Sequence, residues 1–103
     1  MKKTRDPYVI YNLRETYAET GKFEFKVVLN PDVFKNGLES GVKLVDADRK
    51  DMPVEVKRWG RKINCTFVVS ENVPDGVVTV WLNLKDEGSE KAHVGKASFW
   101  VIK

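Results

Sequence analysis

Three kinds of chemistry are worth seeking in this sequence: nucleophilic catalysis, metal binding and recognition by aromatic side chains. Catalysis has little to work with. The chain holds one cysteine, Cys65, and one histidine, His93. A thiol nucleophile needs a base within hydrogen-bond reach. Cys65 alternates with Ile63, Phe67 and Val69, which turns it toward an apolar interior, where a thiol behaves as a small hydrophobe. His93 falls in a polar stretch, Asp86–Gly95, that reads as a flexible loop. Carboxylates are plentiful, yet no two occupy facing inward positions, and glycoside hydrolysis needs such a pair across a cleft. No catalytic residue and no enzymatic activity are expected.

Metal binding fares little better. Asp46, Asp48 and Asp51 stand close together on one turn. Calcium favours such oxygen clusters. The spacing lacks the glycine and terminal glutamate of an EF-hand loop, and Arg49 and Lys50 place positive charge among the carboxylates. A solvated turn accounts for them. One cysteine cannot build a thiolate zinc site. One histidine with only Met1 and Met52 makes a poor copper set. No metal and no cofactor are expected. Asn64-Cys65-Thr66 matches the glycosylation sequon, but mid-strand and with no secretory signal, so chance is the better reading.

The tryptophans carry the most information. Trp81 and Trp100 alternate with apolar neighbours, so both face outward when Leu82 and Phe99 face a core. In a hairpin around Asp86–Gly95 the two indoles can be cross-strand neighbours. Val77, Ile102 and Val45 extend the same face. Outward apolar side chains mark an interface, and tryptophans in a row can also stack on sugar rings. The plainer alternative is that Tyr8–Tyr17, with Ile10, Tyr11 and Leu13, covers this face. Trp59 stands apart, at a hairpin beside Arg58, Gly60 and Arg61. There it either caps the end of the domain or presents a basic, aromatic loop to sugar or phosphate. The candidate binding residues are therefore Trp81, Trp100, Trp59, Arg58 and Arg61.

The elements that must position these residues follow a period of two. Phe23, Phe25, Val27 and Leu29 alternate with Lys22, Glu24, Lys26 and Val28, and Pro31 ends the run. Ile63–Val69, Val78–Leu84 and Ala97–Val101 repeat the pattern. Weaker strands are expected at Val42–Val45 and Val54–Lys57, and a first one at Tyr8–Leu13. Turns fall at Asp46–Lys50, Trp59-Gly60-Arg61 and Pro74-Asp75-Gly76. Pro31–Gly37 has room for one helical turn. Arg14–Thr20 has helical propensity, opposed by its short length and by Gly21. About seven short antiparallel strands in two sheets is the signature of an all-β sandwich.

With 103 residues, 42% hydrophobic and 32% charged, the chain suits one globular domain spanning 1–103, with 1–7 as a flexible leader. A chain this long buries roughly 65% of its unfolded surface, enough for a core without staples. The single cysteine allows no internal disulfide, which suits a reducing compartment. The net charge of +3 comes from 18 basic and 15 acidic residues of alternating sign, not from the basic stripe of a nucleic-acid domain. No apolar run is long enough to span a bilayer. Met1–Pro7 is basic but no signal-peptide hydrophobic region follows it.

One resemblance extends these readings. The pieces Val42–Val45, Asp46–Lys50, Pro53–Val56, Ile63–Val69, Pro74–Thr79 and Ser98–Val101 resemble, in order, the strands and turns of the immunoglobulin-like domains of bacterial and phage surface proteins. The missing cysteine pair and tyrosine corner bring it nearer to fibronectin type III or bacterial relatives than to antibody domains. The resemblance implies a non-catalytic structural or interaction module, as in a phage virion accessory protein or a bacterial surface assembly. Its partner would be another protein or a second copy. The alternative is a carbohydrate-binding module that uses Trp59 and Trp100 as stacking platforms. The missing hydrophobic leader favours a virion protein, because virions assemble in the cytoplasm.

Overall fold

A computed structural model describes residues 7–32, 34, 38–86, 90 and 92–103, with the backbone alone at 38–40. Alternation builds its strands. β1 (Tyr8–Tyr11), β3 (Gly21–Leu29), β6 (Val54–Trp59) and β7 (Lys62–Val69) form one sheet in the order β1-β3-β7-β6. β2 (Thr16–Tyr17), β4 (Leu38–Val45), β5 (Asp51–Met52), β8 (Gly76–Asp86) and β9 (Ala92–Val101) form the other, in the order β2-β9-β8-β4-β5. Setting aside the two-residue β2 and β5, the seven longer strands follow the A-B-E-D and C-F-G order of an immunoglobulin-type sandwich. The described residues include no helix, and none therefore long and apolar enough to cross a membrane.

The inward series are those that the period of two selects. Phe25, Val27, Ile63, Cys65, Phe67, Val69, Val78, Val80, Leu82, Leu84, Phe99 and Val101 are all sealed in one core. Phe23 and Ala97 pack against its margin. Phe67 from one sheet and Phe99 from the other stack at 5.2 Å, which ties the layers together. The turns at Asp46–Lys50 and Trp59-Gly60-Arg61 form where expected, whereas the one expected at Pro74-Asp75-Gly76 closes earlier, with the Val73 amide donating to the Ser70 carbonyl at 3.1 Å and Gly76 already in β8. Gly60, at φ 58°, takes the first central position of a two-residue hairpin loop, with Trp59 paired to Lys62.

The structure departs from the sequence-based expectations of the elements at three places. Arg14–Thr20 is not helical. Thr16 and Tyr17 pair parallel to Trp100 and Val101, the one parallel ladder in an otherwise antiparallel fold as described. Tyr17 is buried, its ring 4.6 Å from that of Phe23 and 4.9 Å from that of Phe99. A seven-residue helix is marginal in water, and inserting this ring outweighs its weak propensity. The first strand stops at Tyr11, because Asn12 turns the chain at φ 66°.

The third departure is at Asp86–Gly95. It is not a ten-residue loop: β8 runs to Asp86 and β9 starts at Ala92, so His93 and Gly95 are strand residues. Backbone pairing carries a ladder through polar side chains that a pattern reading assigns to loop. Pro31–Gly37, where one helical turn has room, agrees with the expectation: Pro31 and Asp32 make a turn and the Phe34 amide donates to the Asn30 carbonyl four residues back at 3.1 Å. Residues 33 and 35–37, 87–89 and 91 of the expected loops, and 1–6 of the expected leader lie outside the described residues.

Gly95 shows how the N-terminal strand is seated. Tyr8, on β1 of one sheet, reaches across the open side of the sandwich and sets its hydroxyl end where a Cβ on Gly95 would stand. Gly95→Ala should therefore destabilise the fold by about 1–3 kcal/mol, the range for overpacking. In a Tyr8→Ala background the same change should cost distinctly less. Urea denaturation of the four chains checks this. Costs that simply add would show that the two residues do not compete for the same space.

Candidate functional site

The phase of the core decides what the outer face of the five-stranded sheet presents. With Val78, Val80, Leu82 and Leu84 inward, β8 must show Val77, Thr79, Trp81 and Asn83 to the outside. β9 likewise shows Val94, Lys96, Ser98 and Trp100. The register then assembles the face in rows. Thr16, Trp100 and Val77 lie side by side, and Ser98, Thr79 and Val45 form the next row. Lys96, Trp81 and Lys43 form the third, and Val94, Asn83 and Gly41 the fourth.

Trp81 and Trp100 are therefore on one face but are not cross-strand neighbours. Trp100 pairs with Val77, and Trp81 pairs with Lys96, four residues further along β9. Tyr8–Tyr17 does not cover them. β1 adds to the far sheet, and only Thr16 reaches the row of Trp100. Trp100 is 50% exposed and Trp81 40%. The Lys96 ammonium sits 5.3 Å from the centre of the Trp81 ring, which gives that indole a cationic cover. Beside it, Val45, Ala47, Val77, Thr79 and Trp81, with the charged Asp46 and Arg49, line a shallow depression of about 390 Å³.

Trp59 belongs to a different surface. It lies at the end of β6, on the other sheet, beside the Leu29 end of β3, whose amide bonds to Arg61 at 2.9 Å. Trp100 pairs at the start of β8, the opposite end of the sandwich. Trp59 is 80% exposed and caps nothing. Arg61 is occupied: its guanidinium donates to the Phe34 carbonyl at 3.1 Å and so ties the hairpin to the chain that leaves β3. Arg58 donates through Nε to the Gly60 carbonyl at 3.3 Å, bracing its own turn. The five candidate residues thus fall into two separate groups, Trp81 with Trp100 and Trp59 with its arginines.

Sequence reasoning missed Lys43, Lys96 and Val94 on the first of these faces. A continued count of two back from Trp100 reaches Lys96 and Val94, but the polar stretch around them masks it. The position of Lys43 beside Trp81 depends on strand pairing alone.

Asp46 and Asp51 of the acidic turn have structural partners. Asp46 Oδ1 accepts from the backbone amides of Asp48 at 2.8 Å and Lys50 at 3.0 Å, so its carboxylate closes its own turn. Asp51 faces Lys43 at 3.4 Å on the surface. Among the described residues no three acidic, histidine or cysteine side chains gather as a metal would require. Asn64 stands in the middle of β7 with its Oδ1 enclosed. His93 is exposed on β9, its ring edge-on to Phe34 at 5.5 Å, while Cys65 is sealed on β7.

Fold and surface together define a small all-β sandwich whose five-stranded sheet shows solvent two tryptophans among valines, lysines and small polar side chains. The sequence matches no protein-family model and no curated relative. In structure the chain is similar to a DUF4426 family protein from Pseudomonas aeruginosa PAO1, with a TM-score of 0.56 and 16% identity. The match covers 92% of this chain and 86% of that one. A likeness at this identity is one of fold.

Burial pushes the Cys65 thiol from 9.0 up to about 12, and the charge of Glu24 adds to the rise. The folded chain keeps this proton where the unfolded chain has lost it. The stability linked to Cys65 is thus whole below pH 9 and drains away as pH climbs toward 12. Above pH 9, wild type should lose up to about 1.4 kcal/mol per pH unit more than Cys65→Ala. Urea unfolding of both chains at a series of pH values reads this difference, and parallel profiles would contradict it.

Proposed function

We propose that this chain is a non-catalytic interaction module, of the immunoglobulin or fibronectin type III kind used by bacterial and phage surface proteins. It docks a partner protein on the outer face of its five-stranded sheet. The observation that carries this reading is the exposure of Trp100 and Trp81 in a rigid sheet, with Val77 and Val94 exposed beside them. Aromatic side chains held in place lose little entropy on binding and dominate interface energetics. Lys43, which faces Asp51, and Lys96 flank Trp81, and Lys96 favours a partner that offers a carboxylate beside an apolar group.

The chemistry of the remaining groups supports a non-catalytic role. The thiol is buried and held protonated, and the histidine stands apart from it on the surface. A carbohydrate platform shared by Trp59 and Trp100 has no support, since the two indoles sit on different sheets at opposite ends. A role in a virion or a bacterial surface assembly fits a small domain that offers exposed tryptophans on a sheet face.

The reading is tested by placing a photo-crosslinking side chain at Val77 or Val94 in the native host. Both should capture the same protein, and the same side chain at Thr66, on the opposite sheet, should not. Trp81→Ala with Trp100→Ala should weaken binding of the captured protein by about tenfold or more. Capture that ignores position, or a glycan-array signal abolished by Trp100→Ala, would overturn it.

A further inference from the structure

The free edge at β6 has a charge pattern that complements itself. We infer that two copies of this chain join through β6 about a two-fold axis at Val56, so that the four-stranded sheet continues across both molecules. Among the described residues β6 is hydrogen-bonded to β7 alone and forms one margin of its sheet. Pro53 precedes it and the Trp59–Lys62 hairpin follows, so the free edge is short and bounded at both ends. Its exposed side chains mix charge and apolar area: Glu55, Lys57 and Arg58 stand beside Val56, 40% exposed, and Trp59, 80% exposed.

The side chains select one register. Pairing about a two-fold axis normal to the sheet sets residues of the same face opposite each other. An axis at Glu55, Lys57 or Arg58 sets that charge against its own copy, which is destabilising. An axis at Val54 shortens the overlap and leaves Glu55 opposite Pro53. An axis at Val56 sets Glu55 of each chain opposite Lys57 of the other, twice by symmetry. It sets Val56 against Val56, and it brings Trp59 over Pro53 of the second copy. Glu55 and Lys57 already stand 3.4 Å apart within one chain, so the pairing draws both into one four-charge array. The interface is isologous and closes on itself, giving a dimer and no fibre. It lies on the opposite sheet from the Trp81/Trp100 face and leaves that face free.

Sedimentation of the full chain over a range of concentrations tests this. Wild type should show a monomer–dimer equilibrium. E55K alone and K57E alone each place like charges opposite one another twice, and each should weaken association by about tenfold or more. Both positions are exposed, so folding should be unchanged by circular dichroism. Mixing the two variants makes every cross-strand pair unlike again and should restore a dimer, and the E55K/K57E double variant should dimerise with itself. A wild-type chain that stays monomeric up to about 1 mM would overturn the inference. So would a dimer indifferent to the two reversals, or variants that fail to recombine.

Discussion

The contact between the two sheets at their aromatic centre governs the rest of this molecule. Phe67 and Phe99 stack across the interface, and Tyr17 packs edge-on to both, at 5.4 and 4.9 Å. Each such pair is worth about 0.5–1.5 kcal/mol beyond the area it buries. Their larger effect is on phase. Once Phe67 and Phe99 point inward, every other side chain of β7 and β9 follows, because a strand has no third direction to offer. A slip of one residue would bury Lys62, Asn64 and Lys96 and expose Ile63, Cys65 and Val101.

The outer surfaces are consequences of that phase. Trp81 and Trp100 face solvent because Leu82 and Phe99 cannot. The exposure of the two indoles is thus built into a rigid scaffold and does not depend on a mobile loop. The same logic seals the thiol. Cys65 shares the inward series with Ile63 and Phe67, and burial removes the ionised form that any chemistry would need. The surface that remains for function is a pair of sheet faces and their margins, where recognition rests on apolar area, placed charge and unpaired backbone.

The segments that join the strands divide the labour differently. Tyr17 enters the core from a stretch only two residues long in its ladder, held by Trp100 donating to the Glu15 carbonyl at 2.8 Å and Ile102 to that of Tyr17 at 3.0 Å. Tyr8 closes the other open side by occupying the space above Gly95. Two tyrosines from the first seventeen residues thus seal the sandwich. That is why this segment is consumed in packing and leaves the tryptophan face uncovered.

Read alone, the order of residues was enough for the all-β class, the inward series, the turns at Asp46–Lys50 and Trp59–Arg61 and the outward direction of both tryptophans. All of these are local: alternation, glycine and proline placement, and the chemistry of short turns act within a few residues. It was not enough for β2, for the length of the β8–β9 hairpin, or for the separation of Trp59 from Trp100. Those depend on register and on contacts between residues distant in the chain. Tyr17 is inward only because Phe23, Phe67 and Phe99 converge around it, and Lys96 covers Trp81 only because Val80 pairs with Ala97. Which side chains become neighbours is settled by packing two sheets together, and no stretch of ten residues holds that information.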